Sequence, residues 1–99
     1  MKKQKPKEIH IRSKLEMLDD VVQIIHYLHI GSRETADPLI ADLKARSLLL
    51  GEQIQQDVLV FAEQVQFQYD YDPWHKITPE VQKAADRLII HLGFSPPRH

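Results

Sequence analysis

Apolar residues recur along this chain at steps of three and four, the spacing that lines them up on one side of a helix. Leu15, Leu18, Val22 and Ile25, joined by Val21 and Leu28, form the first stripe. Ser13 and Glu16 have the capping-box spacing, in which each side chain satisfies the other residue's free amide, and Gly31 supplies a left-handed stop. A first helix is therefore expected from Ser13 towards Gly31.

Asp37 before Pro38 pairs an acceptor side chain with a residue that needs no amide partner, which predicts a second helix opening at Pro38. Ile40, Leu43, Leu50, Ile54, Val58, Phe61 and Val65 then follow one continuous spacing, with Ser47 on the same stripe. Gly51 lies beside it. At about 1 kcal/mol relative to Ala, a glycine weakens a helix without forcing it to break. Asp70 to Ile77 reads as a loop around Pro73. Thr78 before Pro79 repeats the cap-then-proline start, and Val81, Ala85, Leu88 and Leu92 give the next helix its buried stripe. Gly93 ends it, with Phe94 placed to fold back on the last turn.

These elements predict an all-α protein, an antiparallel bundle of three to four helices with a long central helix. The helical domain spans residues 13–95 behind a flexible basic arm, residues 1–12. At about 1.5 Å per residue, an unbroken central helix of about 48 Å matches the other two, about 25 and 21 Å, laid end to end. Each half is then two helices thick and leaves Leu48, Leu49, Leu59 and Val60 poorly covered, for which a homodimer is the natural remedy. A break at Gly51 gives four helices in one monomeric bundle instead. A second period competes locally: Val65, Phe67, Tyr69 and Tyr71 alternate with polar residues, as do Ile9 and Ile11. The alternative fold is thus α+β, with a two-stranded ribbon from residues 8–12 and 64–71, although an isolated pair of strands is marginal.

A chain of 99 residues, 42% hydrophobic and 27% charged, has room for one ordinary core. It has no cysteine, which excludes disulfides, thiolate metal sites and a cysteine nucleophile. No apolar run has the length of a signal segment or a membrane span, so a cytoplasmic protein is expected. The net charge of -1 conceals an asymmetry: residues 1–14 hold six basic groups against Glu8 alone, leaving seven basic and thirteen acidic residues elsewhere.

Little in this sequence specifies a reaction. His26 and His29 are three apart on the first helix and could chelate a metal if Asp70, Asp72, His75 or His91 converged on them, but no paired Glu-x-x-His or HExxH signature supports such a site. Asp19 and Asp20 point about 100° apart and read as a solvated face. Ser13, Asp37 and Thr78 are accounted for as caps, leaving no nucleophile beside a base. No glycine-rich loop cradles a phosphate. Neither metal nor cofactor is expected, and the protein reads as no enzyme.

Two features point to macromolecular partners. Tyr69, Tyr71, Trp74 and His75 cluster around Pro73, and Tyr and Trp are enriched at interface hot spots; capping the end of the bundle accounts for them equally well. The leading expectation is a small regulatory or adaptor module that binds a protein partner. The alternative is a nucleic-acid-associated regulator whose Lys2, Lys3, Lys5, Lys7, Arg12 and Lys14 neutralise phosphates. A metal-dependent enzyme is the third reading.

Overall fold

The computed structural model describes residues 6–71 and 76–96, with side chains from residue 12 onward. It is all helical: α1 Pro6–His29, α2 Arg33–Ser47, α3 Glu52–Tyr71 and α4 Pro79–His91. Successive helices pack on one another as antiparallel neighbours, α1 on α2, α2 on α3 and α3 on α4, in a body 49 × 25 × 22 Å. The bundle is the expected one. The ribbon is not formed: residues 8–12 lie within α1 and residues 64–71 within α3, and the described residues contain no strand. Helical packing wins because the three-four stripe through Phe61 and Val65 continues to Gln68 and Tyr69, all four buried.

The long central helix is also corrected. It is two helices, α2 and α3, separated by a turn over Leu48–Gly51. Leu49 and Leu50 donate back to the carbonyls of Arg46 and Ser47, and Gly51 takes φ +94° before its own carbonyl accepts from Gln55 at the start of α3. That φ belongs to the left-handed region, where a Cβ is costly, so glycine is the residue on which the chain turns. The stripe survives the turn. Ile40, Leu43 and Ser47 on α2 and Ile54, Val58, Phe61 and Val65 on α3 are all buried in one core.

Helix starts differ from expectation in two places. α1 opens at Pro6, a residue suited to a first helical position, and Ser13 lies buried inside the helix rather than capping it. α2 opens at Arg33, so Pro38 sits within it and cannot donate to the carbonyl of Glu34. What holds the extra first turn is tertiary: Arg33 donates to Asp70 Oδ1 (2.7 Å) and to Gln66 Oε1 at the far end of α3, while Asp37 accepts from Gln66 Nε2 (3.0 Å).

Helix ends follow the sequence closely. At Gly31, φ +78°, Ser32 N–H reaches the Tyr27 carbonyl and Gly31 N–H reaches Leu28. At Gly93, φ +96°, Phe94 N–H reaches Ile89 and Gly93 N–H reaches Ile90. Both are the paired bonds of a Schellman stop, and Phe94 packs against the core. α4 begins as expected, with Thr78 Oγ1 accepting from Val81 N–H (3.2 Å) and Pro79 first in the helix.

On α1 the inward stripe is Met17, Val21, Ile24 and Leu28, all with no exposure. Leu15 and Val22 face out, and Leu18 and Ile25 are half-buried. Both sets have helical spacing, one residue or about 100° apart. The rotation that buries the second set is selected by the other helices, not by α1 itself.

Candidate functional site

The aromatic cluster divides. α3 runs through Tyr71, past the expected loop boundary, so Tyr69 and Tyr71 sit two residues apart on opposite flanks of its last turns. Tyr69 is 7% exposed and belongs to the core; Tyr71 is 74% exposed. The Arg33 guanidinium lies 5.6 Å from the Tyr69 ring centroid. Burial first, and then the negative Asp37, push the Tyr69 phenol above its ordinary pKa, with Arg33 opposing. Tyr71 instead stacks obliquely on Phe67, ring centroids 4.6 Å apart. Trp74 and His75 lie outside the described residues.

The basic arm is only partly described. Lys2, Lys3 and Lys5 lie outside the described residues, Lys7 is in the first turn of α1, and Arg12 and Lys14 follow on the same helix. Two residues apart, Arg12 and Lys14 point to different sides. His26 and His29 are exposed on α1, with His26 edge-on to Tyr27 at 5.4 Å. Among the described residues no three His, Asp or Glu side chains converge as metal ligands would.

Two polar pairs between helices carry the strongest local chemistry, and neither was expected. Asp20 of α1 is only 7% exposed, not part of a solvated face; its neighbour Asp19 is the exposed one and accepts from Gln23. Asp20 Oδ2 has no donor to accept from, and the group it meets on α2 is another acid, Asp42. Two carboxyl groups hydrogen-bond only by sharing a proton. Burial, followed by the hydrogen bond to Asp42 and its charge, pushes Asp20 up to about 7, with partial relief from Arg46. Asp42 is held below its ordinary value, first by the bond from Asp20 and then by Arg46, against some desolvation. Arg46 donates through Nε to Asp42 Oδ2 (2.9 Å) and pairs with Glu16 on α1. Asp20 lies three residues after Met17 and four before Ile24, on the buried stripe; that register was the available signal, and it becomes visible only once the stripe is known.

The second pair joins α3 to α4. Asp57, 4% exposed, meets the Nδ1 of His91 through Oδ2 and accepts from Gln53 Nε2 (3.2 Å) through Oδ1. Beside it runs a groove of about 210 Å³ lined by Asp57, Val60, Gln64, Lys83 and Arg87 among others. Small-molecule sites commonly occupy some 300–1,000 Å³, and no Ser or Thr hydroxyl lines this groove. The His91–Asp57 pair fastens α4 to α3.

The largest remaining feature is apolar. On the outer side of α2 and α3 an open groove of about 500 Å³ runs past Leu59, Ala62 and Phe67, with Lys44 and Asp70 among its polar margins. Leu59 is 50% exposed and Phe67 59%. Leu48 and Leu49 in the turn are exposed too, as are Leu15 and Val22 on α1.

No family model, curated protein or solved structure matches this chain. Among the described residues no helix is long and apolar enough to cross a membrane.

Proposed function

We propose that this protein is a non-enzymatic helical interaction module, a small cytoplasmic adaptor or regulator that acts by burying an apolar helix face against a protein partner. The observation that supports it is the outer face of α3, where Leu59, Phe67 and Tyr71 stay half or more exposed although the core beneath them is complete. Large apolar side chains grouped on an otherwise polar helix face mark interaction surfaces more often than accidents of folding. Aromatic residues in such a patch are the usual source of binding energy. The basic arm and the aromatic segment that continues from α3 are further places for the partner to extend onto.

The test compares the wild-type chain with Leu59→Lys/Phe67→Lys, both tagged and purified from cells. The double variant keeps its helical circular dichroism, because both side chains point away from the core, and loses association with other protein. The reading fails if the variant has the same solution mass and the same co-purifying proteins as wild type.

A further inference from the structure

We propose that Asp20 and Asp42 form a proton-held latch between α1 and α2, and that its release lets α1 part from the bundle while α2, α3 and α4 stay packed.

The hairpin builds the latch. Counted from Gly31, Asp20 lies eleven residues back and Asp42 eleven on; Glu16 lies fifteen back and Arg46 fifteen on. In an antiparallel pair these residues stand level with one another, on adjacent turns of both helices. The contacts agree with that register. Arg46 donates to Asp42 on its own helix (2.9 Å) and pairs with Glu16 across the seam, while Asp42 meets Asp20. Asp20 is buried on the stripe between Met17 and Ile24, and its Oδ2 has no donor. The charged groups acting on it are Asp42 and Arg46 from α2 and Asp19 from α1. Arg46 is already shared between Asp42 and Glu16, so a second ionised carboxylate in the seam lacks a counter-ion of its own. With one proton between them the two acids hold the helices together; without it they set a buried charge against a like one.

α1 is the helix that this loss releases. It packs chiefly on α2, so its departure leaves the other pairings in place. Those pairings have fastenings of their own: Arg33 with Asp70 and Asp37 with Gln66 between α2 and α3, Thr78 with Gln68 and His91 with Asp57 between α3 and α4. None of these sets one acid against another. Opening bares Met17, Val21, Ile24 and Leu28, which keeps the open form a minority and makes hydrogen exchange the way to see it.

In the closed form burial and Asp42 push the Asp20 carboxyl up to about 7, whereas in the open form it titrates near its ordinary value of about 4. The opening equilibrium should therefore rise on the order of tenfold between pH 6 and pH 8. Native-state hydrogen exchange of the full chain measures it, each rate divided by that of an unstructured peptide at the same pH. The expected result is that α1 amides from Met17 to Ile24 exchange through an opening that leaves those of Leu88 and Ile89 protected. That opening becomes about tenfold more frequent from pH 6 to pH 8, and Asp20→Asn makes it independent of pH. In Asp42→Asn, where an amide donates to Asp20 in place of the shared proton, the pH step shrinks. Amides of α1 and α4 that exchange together at both pH values overturn the separate release of α1. A step that is absent from the wild type, or that persists undiminished in either variant, overturns the shared proton.

Discussion

The two hairpins of this bundle, α1 with α2 and α3 with α4, share one apolar core but are fastened by different polar chemistry. Across α1 and α2 the buried polar contact is between two acids, Asp20 and Asp42, with Arg46 reaching back to Glu16. Across α3 and α4 the Gln68 carbonyl accepts from Thr78 N–H (2.9 Å) and Asp57 holds His91. The first contact needs a proton that Asp20, raised to about 7, is already losing at neutral pH; the amide bond needs none. Equal apolar burial therefore does not mean equal response to conditions, and pH is the variable that separates the halves.

The largest effect comes from removing what the halves share. Phe61, fully buried near the middle of α3, packs into the single core to which all four helices contribute. Phe61→Ala is expected to cost about 3–5 kcal/mol, the lost transfer energy plus the cavity. Urea unfolding followed by circular dichroism should shift as one transition. Two separated transitions would show that the hairpins are independent units and that no shared core links them.

Next in size is Asp20→Asn, which isolates the first hairpin. With its pKa raised to about 7, folded Asp20 keeps a proton that the unfolded chain gives up near pH 4. Stability accordingly falls as pH rises between those values, and the loss is complete above about 7. Asp42, depressed instead, has the opposite sign and matters only at the acid end, below its ordinary range. Asparagine has no proton to lose and still donates to Asp42, so the variant should be flat from pH 4 to 7 and more stable than wild type at pH 8, by on the order of 2 kcal/mol. Parallel stability curves for the two proteins would remove the shared proton from the account.

Gly51→Ala tests the joint between the hairpins. A Cβ there meets nothing within 4 Å, so the cost is conformational alone, about 1–2 kcal/mol for an alanine at positive φ. The same substitution favours the continuous helix that the turn interrupts. A variant that is less stable as a monomer, or that exchanges hairpins between chains, fits this turn; one that is more stable and unchanged in mass does not.

How much of this was legible beforehand depends on the range of the interaction. The stops at Gly31 and Gly93 and the start at Thr78 were readable because cap, proline and glycine act within one turn. The stripe from Ile40 to Val65 was readable even though its helix breaks, because the turn returns both parts to the same core. What was not readable is what distant partners decide. Arg33 extends α2 backwards over Pro38 by gripping Asp70 and Gln66, residues more than thirty positions away. The choice between two equally spaced stripes on α1 turned Asp20 inward and Leu15 outward. For the candidate surface the sequence singled out Tyr69 and Tyr71 together, and helix geometry separated them: one is core, the other joins Phe67, whose alternation with polar neighbours marked it as a strand residue rather than as part of a surface.

The smallest expected effect isolates the second hairpin. Thr78 does two things at the start of α4: its Oγ1 accepts from Val81 N–H, and its own N–H donates to the buried Gln68 side chain. Thr78→Ala removes only the first, leaving one amide of the first turn uncapped at a cost of about 1 kcal/mol. Since the hydroxyl carries no titratable proton near neutrality, the loss should be the same at pH 5 and pH 8, while the Asp20→Asn difference changes between those values. Thermal unfolding of both variants at the two pH values makes the comparison. A Thr78→Ala deficit that grows with pH would mean that the proton held between α1 and α2 is felt at the start of α4, and that the two hairpins are coupled through the core more tightly than their separate polar contacts imply.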